Sequence, residues 1–248
     1  MINPQRGMGV PEVLVSLLLA SLITTALLNH YLGTKQQYQQ VEKNLEKAYE
    51  MQLLTELIRG SVRHAGFTPC RGINHLITLD TRNHHKNIKA IEVMGDAQSS
   101  FKINRMSEYF DSVVNILRPT ELLITRRQVL NPEHPILVAD CYHAEIHQIS
   151  KIRKTATGQK ITLTKALSFE YQPPIYLGEL LEETYFLRSL PNQKSSLFYQ
   201  MNHADELSAD IHTMFVHLDH HQNRLLLDVI LGLDNGKSWQ VATKVRTP

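Results

Sequence analysis

Proline is missing from the chain between Glu12 and Thr68, and cysteine occurs only twice, at Cys70 and Cys141. The first absence removes the residue that most reliably breaks a helix, so nothing obliges a helix started early in the chain to stop before Thr68. The second leaves two thiols that sit in no C-x-x-C pair and near no spaced histidine pair, which excludes the common zinc-site patterns. They form either one disulfide, the natural reading for a chain that leaves the cytoplasm, or two free buried thiols. A bridge closing so long a loop would stabilise the fold by roughly 4 kcal/mol on the chain-entropy model. Excess charge is also missing: 26 basic against 24 acidic residues gives a net +2, too little for a field that would steer the whole molecule to nucleic acid. There is no G-x-S-x-G, no P-loop, no dinucleotide fingerprint and no H-E-x-x-H, so no enzyme mechanism has a residue to start from and no cofactor is expected. No internal repeat or low-complexity tract occurs.

What is present is a chain of 248 residues, 42% hydrophobic, enough to bury the core of one large domain or two small ones. Val13 to Leu32 reads VLVSLLLASLITTALLNHYL, long enough at ~1.5 Å per residue to cross the ~30 Å hydrocarbon layer of a membrane. The pattern does not end there as a cleaved secretory signal would. Beyond Gly33, the residues Tyr38, Val41, Leu45, Ala48, Tyr49, Leu53 and Leu57 recur at three- and four-residue steps, which predicts that an amphipathic helix continues the membrane helix with one stripe facing the rest of the protein. A helix over residues 8–64, with a transmembrane segment at 13–32, follows.

Glu12 stands at the head of the apolar run. An unpaired charge costs on the order of 2 to 3 kcal/mol if it enters the bilayer, so it calls for a partner. No basic residue lies within the run. A chain cut after Gly7 would, however, have a new amino terminus at Met8, and that positive charge could meet the Glu12 of a neighbouring copy or paralogue.

The segment Arg6-Gly7-Met8-Gly9-Val10-Pro11-Glu12-Val13-Leu14-Val15 resembles the class III signal of type IV prepilins: a short basic leader ending in glycine, a hydrophobic first mature residue, and glutamate at the fifth mature position. In that family a membrane aspartyl peptidase cleaves after the glycine and methylates the new amine, and the glutamate acts in subunit recruitment. The resemblance therefore implies cleavage between Gly7 and Met8, methylation of Met8 and an assembly role for Glu12. Pro11 departs from the usual aliphatic residue before the glutamate, and the proline that kinks the membrane helix of many major pilins is absent here.

After the helix, HAGFTPCRG from His64 to Gly72 reads as a helix stop and turn. Short β-favouring runs follow at Ile88–Met94, Leu122–Val129, Ile136–Val138, Glu145–Ile149, Lys160–Leu163, Glu183–Arg188, Ser196–Met201, Ile211–Leu218 and Arg224–Leu231, separated by turn segments such as PPIYLG, LPNQKS, DHHQN and LDNGK. The DHHQN connector from Asp219 to Asn223 predicts a hairpin. The expected fold class is α+β, a long N-terminal helix packed on a mostly antiparallel sheet, with residues 1–7 a leader and 65–248 a β-rich globular domain.

The order HAGFTPC, ADCYHAEIHQIS at Ala139 to Ser150, EETYFLRS with SSLFYQ, and DELSADIHTMFVHLD at Asp205 to Asp219 is similar to the minor pilins of the PilW type. This resemblance implies a Cys70–Cys141 disulfide. It also implies a minor pilin working in filament priming or at the tip, in support of twitching, adhesion or DNA uptake. The implied partners are other minor pilins, the major pilin, the prepilin peptidase, an inner-membrane assembly platform and a tip adhesin. Before assembly the globular domain would face the periplasm from the inner membrane; afterwards the chain would lie in the pilus. The alternatives are a minor pseudopilin of a type II secretion system, which carries the same leader, and a membrane-anchored periplasmic binding module that does not polymerise.

Of the 13 histidines, the pairs His84-His85 and His220-His221 are adjacent, and adjacent residues in a strand point to opposite faces, so no metal site is expected. Arg126-Arg127 and Lys151, Arg153 and Lys154 form two modest basic segments near Tyr142 and His143. Five charges over two segments read as solvated surface, and direct nucleic-acid contact is not expected.

Overall fold

The structure is a computed structural model; it describes residues 9–83, 86–95, 99–125, 130–155, 158–189, 194–221, 224–234 and 236–245. A single helix, α1, runs Val10–Arg63 over 54 residues, as the missing proline allows. Two compact units divide the chain, one up to Leu53 and the other from Leu54 onward. In the first unit the large apolar side chains of residues 13–32 are exposed, and so are Tyr38, Val41, Leu45, Tyr49 and Leu53. The second unit buries a different stripe of the same helix: Leu54, Ile58 and Val62, spaced four apart, with Val62 wholly enclosed. The expectation of one continuous stripe facing the protein is thereby corrected, because Leu57, which continues the first stripe, is itself 39% exposed.

Among the described residues the second unit holds thirteen strands in the order β1 Ile77–Asp80, β2 Ile91–Met94, β3 Ser100–Arg118, β4 Glu121–Ile124, β5 Pro135–Ala139, β6 His143–Lys154, β7 Gln159–Leu163, β8 Tyr176–Arg188, β9 Ser196–Gln200, β10 Ala204–Ser208, β11 Ile211–His221, β12 Arg224–Leu233 and β13 Ser238–Lys244. All pairings are antiparallel except β1 with β6. Six strands close on one another: β3 pairs β4, β4 pairs β7, β7 pairs β6, β6 pairs β5, β5 pairs β8, and β8 pairs β3 again. Each contributes inward side chains to one core, among them Val113, Leu122, Ile161, Ile149, Ile136 and Leu177, so the ring is a filled barrel without an open edge. The far half of β8 carries β9 and then β10 as an extension. A separate antiparallel meander, β11–β12–β13, includes the expected hairpin. That hairpin is tighter than the five-residue connector the sequence suggests: Asp219, His220 and His221 still belong to β11, with His221 opposite Arg224.

Strands β1, β3, β10 and β13 are not among the runs picked out by sequence. The longest of them, β3, escapes because its inward and outward positions do not alternate. Phe101, Ile103, Asn104, Met106 and Ser107 are all buried, and its ladders shift register between Met106 and Phe110 and again between Val113 and Asn115. The segment PPIYLG is also no simple turn, since β8 already begins at Tyr176. A Cβ on its Gly178 would stand 2.8 Å from Met106 Cγ, so glycine here permits the close approach of β8 to the bulge in β3.

Candidate functional site

At the head of α1, Gly9 precedes the first helical turn and its carbonyl accepts from the Glu12 N–H at 3.0 Å. The Glu12 side chain reaches back, Oε2 accepting the Gly9 N–H at 3.1 Å, which is half of a capping box and sets a carboxylate at the positive end of the helix. Sequence reasoning looks for a cation and overlooks this backbone donor. Among the described residues no cation lies against Glu12. Gly7 and Met8, the expected cleavage position and mature terminus, lie outside the described residues.

Within the apolar half each serine and threonine hydroxyl is satisfied inside the helix. Ser16 donates to the Glu12 carbonyl at 2.7 Å, Ser21 to Leu18 at 2.8 Å, Thr24 to Ala20 at 2.7 Å and Thr25 to Ser21 at 2.8 Å. A hydroxyl that already has a partner can enter hydrocarbon at little further cost. The helix is long and apolar enough to cross a membrane, with a mean hydropathy of 2.0 over its most apolar window.

At the other end of α1, Gly66 turns the chain with φ +72°, and a Cβ there would lie 2.6 Å from that of Ala90. The loop it starts is tied to β3, Phe67 O accepting from Met106 N–H at 2.9 Å, and carries Cys70 to Cys141, with which it forms a disulfide. Asp140, fully buried, builds the other side of that bridge. Its Oδ1 accepts the N–H groups of Tyr142 at 2.7 Å and His143 at 2.6 Å, closing the β5–β6 turn on which Cys141 sits, and its Oδ2 accepts Gln172 N–H at 2.8 Å. Burial pushes the Asp140 carboxyl up, but these three donors outweigh burial and hold it below the ordinary value.

Two further buried carboxylates were not singled out by sequence. Glu145 accepts Ser168 N–H at 2.9 Å, Phe169 N–H at 2.8 Å and His147 Nε2 at 2.9 Å. Against the upward push of burial, these contacts hold its carboxyl low. With Asp140 it pins the segment between β7 and β8 over the barrel wall. Glu183 joins the end of the helix to the sheet, accepting Ser61 Oγ at 2.5 Å and Arg105 Nε at 2.8 Å. Ser61 Oγ is also 2.9 Å from the hydroxyl of Tyr185, whose pKa burial pushes well up. Trp239 Nε1 donates to Thr55 at 2.9 Å, tying β13 to the same end of the helix.

No group of three or more His, Cys, Asp or Glu residues among those described could hold a metal ion. His84-His85 lies outside the described residues, and the side chains of His220 and His221 do too. Arg126-Arg127 is likewise outside, whereas Lys151, Arg153 and Lys154 lie on β6 and are exposed. No protein-family model, curated protein or solved structure matches the chain.

Proposed function

We propose that this chain is a minor pilin of a type IV pilus, made as a prepilin, cut between Gly7 and Met8, methylated at Met8, and assembled into a filament with other minor pilins and the major pilin. The observation that carries the reading is Glu12, a carboxylate in the first turn of a helix that continues unbroken to Arg63 and whose apolar half is left uncovered by the described residues. A helix of this kind is stable in lipid because its serine and threonine hydroxyls are satisfied internally, and its aliphatic surface packs as well on like helices as on lipid. The β-rich unit, braced by the Cys70–Cys141 bridge, suits a domain exposed to an oxidising compartment.

The N-terminal peptide of membrane-associated protein, weighed by mass spectrometry in cells with and without the prepilin peptidase, tests the reading. The expected result is a methylated Met8 terminus that depends on the peptidase. An intact Met1, or a cut beyond Leu32, sinks it. Crosslinks placed at Leu18 or Leu22 are expected to capture another pilin subunit once the chain is assembled.

A further inference from the structure

The sheet that contains the barrel ends in β10 on one side and β2 on the other. Strand β10 is guarded against further pairing: its ladder with β9 shifts register between Glu206 and Ser208, and Asp205 and Glu206 stand exposed on it. Strand β2 pairs β3 residue for residue from Ile91 to Met94, with no bulge and no proline. Ala90 C=O accepts Asn104 N–H at 2.9 Å, which makes Ala90 and, two residues on, Glu92 the ones that bond to β3. The N–H and C=O groups of Ile91 and Val93 therefore point away from β3, and among the described residues they have no backbone partner. Ile91 is only 2% exposed, so water reaches its groups poorly and a partner strand would satisfy them. The segment before β2 is closed off. Thr78 Oγ1 donates to Ile88 C=O at 3.0 Å and accepts its N–H at 2.9 Å, and Asp80 N–H donates to Lys86 C=O at 2.9 Å.

The open edge of β2 lines a groove of about 1190 Å³. Leu76 and Ile77, together with Val216, Leu218 and Leu225 of the β11–β12 hairpin, give the groove apolar lining. Its charged lining is Lys86, Lys89 and Glu92, and His75 and His217 line it too. Glu92, the one acid there, is already held by Asn104 Nδ2 at 3.0 Å and Lys86 Nζ at 3.3 Å, so the lining carries an excess of positive charge. We propose that this groove binds an extended acidic segment of another protein, which adds to the free edge of β2 as a further strand. The occupant is a strand because the wall offers an unpaired backbone edge, and an extended chain is what matches its alternating donors and acceptors. It is acidic because cations outnumber the one committed carboxylate, and apolar at alternate positions because aliphatic side chains line the groove as well. The site lies wholly within the second unit and does not depend on how the helix is used.

The test is fluorescence anisotropy of labelled, end-capped peptides titrated with the full chain in non-ionic detergent. A peptide alternating valine and glutamate is expected to bind saturably, and one alternating valine and lysine to bind about tenfold more weakly. The valine–glutamate peptide methylated on every backbone nitrogen keeps its side chains and charge but cannot pair with a strand edge, and is expected not to bind. Val93→Pro removes an outward N–H without touching the β3 ladder, a position where an edge strand tolerates proline, and is expected to weaken binding severalfold. Lys86→Glu with Lys89→Glu is expected to reverse the preference toward the lysine peptide, a gain that a damaged fold cannot mimic. The proposal is overturned if the valine–glutamate peptide does not bind, if its N-methylated form binds as well, or if the double variant keeps the preference of the unsubstituted chain. Equal binding of the glutamate and lysine peptides by the unsubstituted chain overturns it too, since the groove would then be reading apolar side chains alone.

Discussion

Both carboxylate oxygens of Asp140 are committed to backbone N–H groups, and those of Glu145 to two backbone N–H groups and an imidazole. Each carboxyl is held below its ordinary value in the folded chain, so each stabilises the fold above the ordinary carboxylate range and loses that contribution as the pH falls through its folded value. Urea unfolding, followed by fluorescence of Trp239, the single tryptophan, is expected to give a midpoint that holds from neutral pH down to about 5 and falls below about pH 4. Asp140→Asn is expected to lower the neutral midpoint and flatten that acid limb; an acid limb unchanged in steepness would remove Asp140 as its source. The Asp-Cys pair was legible in sequence through a resemblance, and its disulfide is present. The work of Glu145 was not legible, because its donors Ser168 and Phe169 lie 23 and 24 residues away and are brought over it only by the closure of the barrel.

Among the elements, α1 was the most legible, since an uninterrupted apolar and amphipathic pattern with no proline has few other outcomes. Which of its faces is buried was not. Tyr38, Val41, Leu45, Tyr49 and Leu53 form the cleaner periodic stripe, but it is Leu54, Ile58 and Val62 that the second unit buries. The difference is measurable. Ile58→Ala, at a side chain only 1% exposed, is expected to cost about 2–5 kcal/mol of unfolding free energy. Leu45→Ala, at an exposed position, is expected to leave it within about 0.5 kcal/mol. Equal losses from both would show that the exposed stripe is part of the folded core after all. Strand β3 marks the opposite limit of legibility. Its charges, Lys102 and Arg105, look like a solvated loop in sequence, yet each is paired across the ladder with a carboxylate of β8, Lys102 with Glu182 and Arg105 with Glu183. Pairing of this kind lets charged residues sit in a strand core, and only the partner strand reveals it.

At the scale of the whole molecule, α+β was readable because helix and strand signals occupy separate stretches of the chain, while the closed ring was not, since closure rests on β3 meeting β8 across more than sixty intervening residues. The same separation divides labour, with one unit a helix headed by Glu12, apolar in its first half and amphipathic after Gly33, and the other built around the barrel core. Glu12 has two properties that a single substitution confuses: it caps the Gly9 N–H, a contact worth on the order of 1 kcal/mol, and it carries a charge. Glutamine keeps the acceptor and removes the charge, so Glu12→Gln and Glu12→Ala separate them. If recruitment depends on the meeting of Glu12 with the amino terminus of a neighbour, both variants are expected to insert in the membrane, Glu12→Gln with an unchanged urea midpoint, yet both to be absent from sheared filaments probed by immunoblot. If Glu12→Gln enters filaments as the unsubstituted chain does while Glu12→Ala does not, the glutamate acts by fixing the first turn of the helix, and the charge-pairing account of assembly is wrong for this chain.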